Sequence, residues 1–150
     1  MIESRPWDDP AGAALRAEQR AELDTRYGCD NHEPGAPPSA SDIDVFLVAT
    51  DLGGTRLVGC GALRRLDSTS AEVKRMYVVP HARGSGVATG LLRALESAAA
   101  DRGWTTLRLE TGTAQLDAQR FYQREGYCHI PLFGSYVGSD LSICYERELR

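Results

Sequence analysis

Residues 78–90, Val78-Val79-Pro80-His81-Ala82-Arg83-Gly84-Ser85-Gly86-Val87-Ala88-Thr89-Gly90, leave a strand pattern and open a helix through a glycine-rich turn. Amides at a helix N-terminus have no intrahelical acceptor, and the dipole behind them favours an anion. Gly84 and Gly86 lack the Cβ atoms that would keep a phosphate from the main chain, and Ala88 keeps the first helical turn small. Two phosphate-binding patterns do not fit. A P-loop ends in Gly-Lys-Ser/Thr, and no lysine stands here. The dinucleotide fingerprint G-x-G-x-x-G misses its last glycine by one place, since Thr89 stands there and Gly90 follows. Its acidic ribose partner, about 20 residues on, would be Glu110 only loosely. By pattern alone the segment is either an anion cradle or a glycine-rich turn without a ligand.

A cradle needs a strand before it and a helix after it, and the periodicity supplies both. Ala71 to Val79 is a strand pattern stopped by Pro80. Val87, Leu91, Leu92, Leu95, Ala98 and Ala99 recur at helical spacing up to Arg102-Gly103. Thr105 to Glu110 alternates again, so residues 72–110 form a strand-helix-strand unit expected to be parallel. Upstream, Ile2 to Arg5 is a short strand. Asp8-Asp9-Pro10 sets an acidic cap before a proline, opening a helix that runs to about Tyr27 and ends at Gly28. The apolar face of that helix (Ala11, Leu15, Leu23) is thin, so one side lies toward solvent or a cleft. Residues 28–42, with three prolines and two serines, read as an exposed loop, an ordinary connection or a lid. Ile43 to Ala49 and Arg56 to Arg64 form a hairpin around Asp51-Leu52-Gly53-Gly54. Ala114, Ala118, Phe121 and Tyr122 mark a short amphipathic helix ended by Gly126. Tyr127 to Phe133 and Leu141 to Leu149 form a closing strand pair around Gly134-Ser135-Tyr136-Val137-Gly138. The order predicts a mixed α+β fold, mostly antiparallel, around one sheet in a single domain over residues 1–150.

Composition narrows the function classes. With 150 residues, 42% hydrophobic and 25% charged, the chain can bury a core without disulfide or metal staples. No apolar run approaches the ~20 residues of a membrane helix. The start, Met1 to Asp9, has no basic and apolar signal pattern, so a cytoplasmic location is expected and a membrane partner is not. The net charge of −4 speaks against a nucleic-acid partner. All but one of the 17 basic residues are arginine, the exception being Lys74. Cys29, Cys60, Cys128 and Cys144 contain no C-x-x-C pair and read as buried thiols. The local cluster Cys29-Asp30-Asn31-His32-Glu33 falls short of the four ligands of a structural zinc site, so no metal is expected.

Arg83-x-x-Gly86-x-Ala88 matches the Q/R-x-x-G-x-G/A pyrophosphate loop of the GNAT N-acetyltransferase superfamily. Residues 115–127, Gln115-Leu116-Asp117-Ala118-Gln119-Arg120-Phe121-Tyr122-Gln123-Arg124-Glu125-Gly126-Tyr127, resemble that superfamily's N-x-x-A-x-x-L/F-Y-x-x-x-G-F/Y segment. Gln115 stands where many members carry asparagine. The resemblance follows the whole chain in element order and is specific over residues 72–127.

The resemblance implies transfer of an acetyl group from acetyl-CoA to an amine, by direct attack in a ternary complex. Arg83, Gly84, Ser85, Gly86, Val87 and Ala88, with Thr89, would hold the pyrophosphate through main-chain amides. The edge of Met76-Tyr77-Val78 would pair with the pantetheine arm, and Gln115 would touch the cofactor. The Val78 amide could support the oxyanion of the tetrahedral intermediate, a contact whose loss costs roughly 3 kcal/mol in other enzymes. Tyr122 matches the tyrosine that protonates the departing thiolate, since a phenol with pKa about 10 is a neutral donor at pH 7. Packing beside Phe121 is its alternative role. Base candidates are Glu72, at the start of the central strand, and Glu110, at the end of its parallel neighbour. Each could equally be a pairing carboxylate. His81 faces solvent before the cradle on this reading, and His129 has no evident partner. The polar helix side of Glu18, Glu22 and Tyr27 could receive a cationic amine or could be a solvated charged face; a small-molecule amine is the expected acceptor, ahead of a protein N-terminus or lysine. A homodimer could form through the C-terminal strand edge. The competing reading is a non-catalytic acyl-CoA-binding sensor or regulatory module with the same cradle.

Overall fold

The structure, a computed structural model, describes residues 1–29 and 32–149. The elements run β1 (Ile2–Ser4), α1 (Pro10–Tyr27), β2 (Val45–Thr50), β3 (Leu57–Arg65), β4 (Ser70–Val78), α2 (Val87–Asp101), β5 (Thr106–Gly112), α3 (Leu116–Arg124), β6 (Cys128–Ile130) and β7 (Ser142–Glu148). Short 3-10 turns occupy Pro80–Ala82 and Gly134–Tyr136. Local chemistry sets the helix ends. Asp9 Oδ2 accepts the Gly12 amide at 2.9 Å and Pro10 follows it, while Gly28 closes α1 in the left-handed region at φ +71°.

One sheet of seven strands, in the order β1-β2-β3-β4-β5-β7-β6, carries the fold, and only β4 and β5 run parallel. Paired residues share a face. On one face Leu47, Leu63, Val73, Leu107 and Leu109 meet the fully buried Leu91, Leu92 and Leu95 of α2. The opposite face carries Phe46 beneath Gly12 of α1, where a Cβ would come within 2.5 Å of that ring. Toward β5 this second face turns polar, with Arg64, Glu72, Lys74 and Arg108 in register.

The sheet is split at its centre. β3 pairs with β4 as Cys60↔Tyr77 and then Ala62↔Lys74, so Gly61 faces both Arg75 and Met76 in a β-bulge. Arg75 sits at φ +56°, a left-handed conformation costing an L-residue roughly 1–2 kcal/mol. Gly61 makes the bulge fit, because a Cβ there would lie 2.6 Å from Met76 Sδ and 2.9 Å from Leu95 Cδ1. Below the bulge β4 pairs with β5 over Ser70–Val73 and Thr106–Leu109 only. Beyond it the two strands part.

Three expectations need correction. The closing pair is shorter, because β6 ends at Ile130 before Pro131, which cannot donate to a ladder. The chain then turns through Gly134–Tyr136 and buries Tyr136. The loop after α1 is not simply exposed: Pro38 is buried, and His32 is buried and Glu33 half-buried where they find partners on α1 and β4. Of the cysteines, Cys60 and Cys144 are buried, but Cys29, just past the α1 cap, and Cys128, on the edge strand, are exposed.

Leu95→Ala should lower the unfolding free energy by about 2–5 kcal/mol, because it opens a cavity against Gly61 and the sheet. Urea unfolding of the purified variant measures it, and an unchanged midpoint would contradict the packing described.

Candidate active site

Where β4 and β5 part, a cleft of about 510 Å³ opens. Its walls are Met76, Tyr77 and Val78 on β4; Gln19, Glu22 and Leu23 on α1; the turn into α2; and Gln115, Ala118, Phe121 and Tyr122 at α3. Gly84 and Gly86 lie on this wall with φ +78° and +89°, and a Cβ at either would meet nothing within 4 Å. Their bare backbone therefore fronts open space. Gly90 is the first amide taken up by α2, donating to the Gly86 carbonyl at 3.0 Å, and among the described residues the amides of 84–89 meet no acceptor. The donor set suits a diphosphate: main-chain N–H groups, a helix N-terminus, and no carboxylate within the turn.

The β4 wall is polar where the ladder is missing. Val79 donates to the Val58 carbonyl at 2.9 Å, so the alternate residues Met76 and Val78 turn their backbone groups to the cleft. Gln19 Nε2 donates to the Met76 carbonyl at 3.0 Å, and Arg83 Nε donates to the Val78 carbonyl at 2.9 Å. Arg83 also reaches across to Glu22 at 2.8 Å.

A second cavity of about 90 Å³ adjoins the first and shares Gln19, Leu23, Met76, Gln115, Ala118 and Tyr122 with it. Its further walls include Tyr27, His32, Glu33, Lys74, Arg75, Glu110 and Gly112. A Cβ at Gly112 would overlap the Tyr27 hydroxyl, so glycine is what lets α1 close this end. His32 stacks on Tyr27 with ring centroids 5.1 Å apart and meets Asp24 Oδ1 at 2.8 Å. Glu33 bridges Lys74 Nζ and Arg75 Nη1, each at 2.6 Å. Burial would raise its carboxyl, but the two cations overcome that and hold it down at about 2.

Glu110 accepts from Ser142 Oγ at 2.7 Å. Burial pushes its carboxyl up to about 7 against that hydrogen bond, and the Glu33 charge adds to the rise. Tyr122, on the wall common to both cavities, is 7% exposed and packs edge-on against Phe121 and Tyr127. Burial raises its phenol above the ordinary range, so it stays a protonated donor at neutral pH.

The family model described as Acetyltransferase (GNAT) family matches residues 8–127. The chain belongs to the GNAT acetyltransferase family. That family uses acetyl-CoA as its acyl donor. An "IAA acetyltransferase" of Azospirillum brasilense is 39% identical over 106 residues, 69% of this chain and 67% of the relative. The chain spans about two thirds of the length of three curated relatives it matches. A solved structure from Klebsiella pneumoniae, provisionally named an acyl-CoA N-acyltransferase, is 33% identical and covers 100% of this chain and 97% of its own, with a TM-score of 0.84. A GNAT family acetyltransferase from Elizabethkingia anophelis with acetyl-CoA bound shares the fold, at 17% identity, a TM-score of 0.70 and coverage of 99% and 97%.

Against this GNAT frame, the residues singled out in the sequence fall into three places. Met76, Tyr77, Val78, Arg83, Gly84, Gly86, Val87, Ala88, Thr89, Gln115 and Tyr122 line the larger cavity. Ser85 does not; its hydroxyl donates to the Ala82 carbonyl and tightens the turn. Glu110 and Tyr27 line the smaller cavity, while Glu22 faces the larger one, paired with Arg83. Glu72 reaches neither: at 2% exposure it binds Arg64 at 3.1 Å, the Tyr136 hydroxyl at 2.5 Å and Lys74 at 3.7 Å. Glu18, His81 and His129 are exposed and line neither cavity.

Asp30 and Asn31 of the Cys29–Glu33 cluster lie outside the described residues. Gln19, His32, Glu33, Lys74 and Arg75 also line the smaller cavity, though no sequence motif marks them as site residues. Glu33 and Lys74 are 41 positions apart, and no local pattern joins them. Only the singularity of Lys74 among arginines marked it.

A raised carboxyl stabilises the fold below its unfolded pKa, and that contribution is lost as pH rises through the folded value. Between about pH 5 and about pH 8, Glu110→Gln should therefore gain stability relative to the natural chain, because Glu110 must ionise in place as pH passes about 7. Urea unfolding at the two pH values reads the difference. A gap independent of pH would place the Glu110 carboxyl near its ordinary value.

Proposed function

We propose that this GNAT protein is an acetyl-CoA-dependent N-acetyltransferase that acetylates a small amine by direct attack in a ternary complex. The observation that carries the reading is the shared wall. A long cleft with bare glycines at a helix N-terminus and a small polar cavity meet at Tyr122, Met76 and Gln19. Donor and acceptor would thus sit in neighbouring spaces with one phenol between them.

Each group then has a role. The main-chain amides around Gly84 and Gly86 hold the pyrophosphate, and the Met76–Val78 edge receives the pantetheine arm in place of the missing β5 ladder. Acetyl-CoA supplies the activated acyl group. The Val78 amide points into the cleft, where it can polarise the acyl carbonyl. Glu110, with a carboxyl held near 7, is poised to take the proton of the incoming amine, since a base works best when its pKa lies near the operating pH. Tyr122 keeps its proton and donates it to the leaving sulfur. Glu72, committed to Arg64, Tyr136 and Lys74, holds one cation of β3 and one of β4 instead.

Calorimetric titration with acetyl-CoA, with ATP and NAD as controls, tests the cleft. Selective binding of acetyl-CoA supports the reading, and its absence removes it. Gly86→Val puts a branched side chain at φ +89° on the cleft wall and should sharply weaken that binding. Native affinity in the variant would place the phosphates elsewhere. Tyr122→Phe should leave acetyl-CoA affinity nearly intact but lower kcat about 10²-fold or more. An unaltered kcat excludes Tyr122 from the chemistry, and a protein that binds acetyl-CoA with no transfer to any amine is a sensor.

A further inference from the structure

In the wall of the smaller cavity, two cations on adjacent residues converge on one carboxylate. Lys74 Nζ meets Glu33 Oε1 and Arg75 Nη1 meets Glu33 Oε2, each at 2.6 Å. Adjacent strand residues normally point to opposite faces. Here the bulge, with Arg75 at φ +56°, brings both side chains to the same carboxylate. The result is a ready two-point receptor for a carboxylate, built from the only lysine of the chain and its neighbour.

The Lys74 half of the receptor and the backbone of Arg75 are held without Glu33. Lys74 is held from behind by the Tyr136 hydroxyl at 2.8 Å and by Glu72 at 3.7 Å. Glu72 is itself fixed by Tyr136 and Arg64. The Arg75 carbonyl accepts from Cys60 Sγ at 3.3 Å, which anchors the bulge. Among the described residues, Glu33 is the one ion-pair partner of Arg75. Glu33 comes from the loop after α1, not from the sheet, so its carboxylate is the exchangeable member. Glu110 and Tyr122, also in the cavity wall, are the groups the amine must reach.

We propose that the acceptor is a small free amino acid, whose carboxylate takes the place of Glu33 on Lys74 and Arg75 while its amine faces Glu110 and Tyr122. This rests on the assignment of the smaller cavity to the acceptor. A carboxylate at one end and an amine at the other match the cavity's two kinds of wall. At about 90 Å³ with Glu33 in place, the cavity admits a larger acceptor only as Glu33 leaves it.

The test compares free L-amino acids with their amides and their decarboxylated amines, following CoA release with a thiol reagent. The free acids should exceed both analogues in kcat/KM by about tenfold or more, the size expected when a buried charge partner is missing. Arg75→Gln should erase that ratio by raising KM for the free acid while kcat changes little. Glu33→Gln should preserve or raise the preference, because the internal competitor is gone; thermal unfolding confirms that both variants fold, and Arg75→Asn, which removes the charge and tolerates the left-handed backbone, replaces Arg75→Gln if it does not. Equal or better use of the amides and amines overturns the proposal and leaves the acetyltransferase reading standing. So does a Glu33→Gln variant that weakens all acceptors alike, which would make Glu33 a structural strut. Transfer to no member of the panel by protein that still binds acetyl-CoA overturns it too, whereas loss of acetyl-CoA binding itself refutes the prior assignment of the cleft.

Discussion

The bulge at Arg75 is the constraint on which the rest depends. One extra residue in β4, opposite Gly61, ends the pairing with β5 after Val73 and forces the two parallel strands apart. An unpaired strand edge inside a sheet is costly unless something satisfies its amides and carbonyls. Gln19 and Arg83 take the Met76 and Val78 carbonyls, and a ligand that extends along the edge would do the same. The left-handed backbone of Arg75 is strain of the kind retained at functional sites, where the surrounding structure holds it in place. Gly61, the Met76 side chain and Leu95 form that surrounding structure.

The same bulge decides the electrostatics. Beside it, on the face opposite α2, polar side chains of β3, β4 and β5 lie in register, and the charges must find each other. Glu72, Arg64, Lys74 and Tyr136 form a buried network, and Glu33 completes it from a distant loop. Buried ion pairs of this kind give little net stability, because desolvation offsets the attraction, but they fix geometry. Among the described residues no cation bonds Glu110, which sits nearby, and burial raises its carboxyl to about 7. One carboxylate held at about 2 and another near 7 in the same cavity wall give two different roles to one residue type.

The thin apolar face of α1 acquires its meaning from this arrangement. Only Gly12 and Leu15 of that helix are buried. Its remaining inward positions, Gln19, Glu22, Leu23 and Tyr27, form one wall of the cleft and of the cavity beside it. A helix with a full hydrophobic stripe would close the split by packing into it. Here the helix leaves it open, and Tyr27 reaches across to Gly112 only because that position has no side chain.

Much of this was legible in the sequence because it rests on local chemistry. The Asp9-Pro10 cap, the helical spacing of Leu91, Leu92 and Leu95, and the strand stopped by Pro80 each follow from residues within a turn or two of one another. So does the glycine turn at Gly84 and Gly86, and with it the donor side of the site. The acceptor side was not legible. The bulge arises from register between β3 and β4, and a one-residue mismatch across strands leaves no mark in either strand's own pattern. Glu72 and Glu110 look alike as strand carboxylates, yet one is locked to Arg64 and Tyr136 while the other lies in the cavity wall. Glu33 reads as a loop residue until the fold brings it to Lys74 and Arg75. Local propensity and spacing fixed the elements and the phosphate-type cradle; only the packing of distant segments at the split decided which charges meet, and therefore what each carboxylate can do.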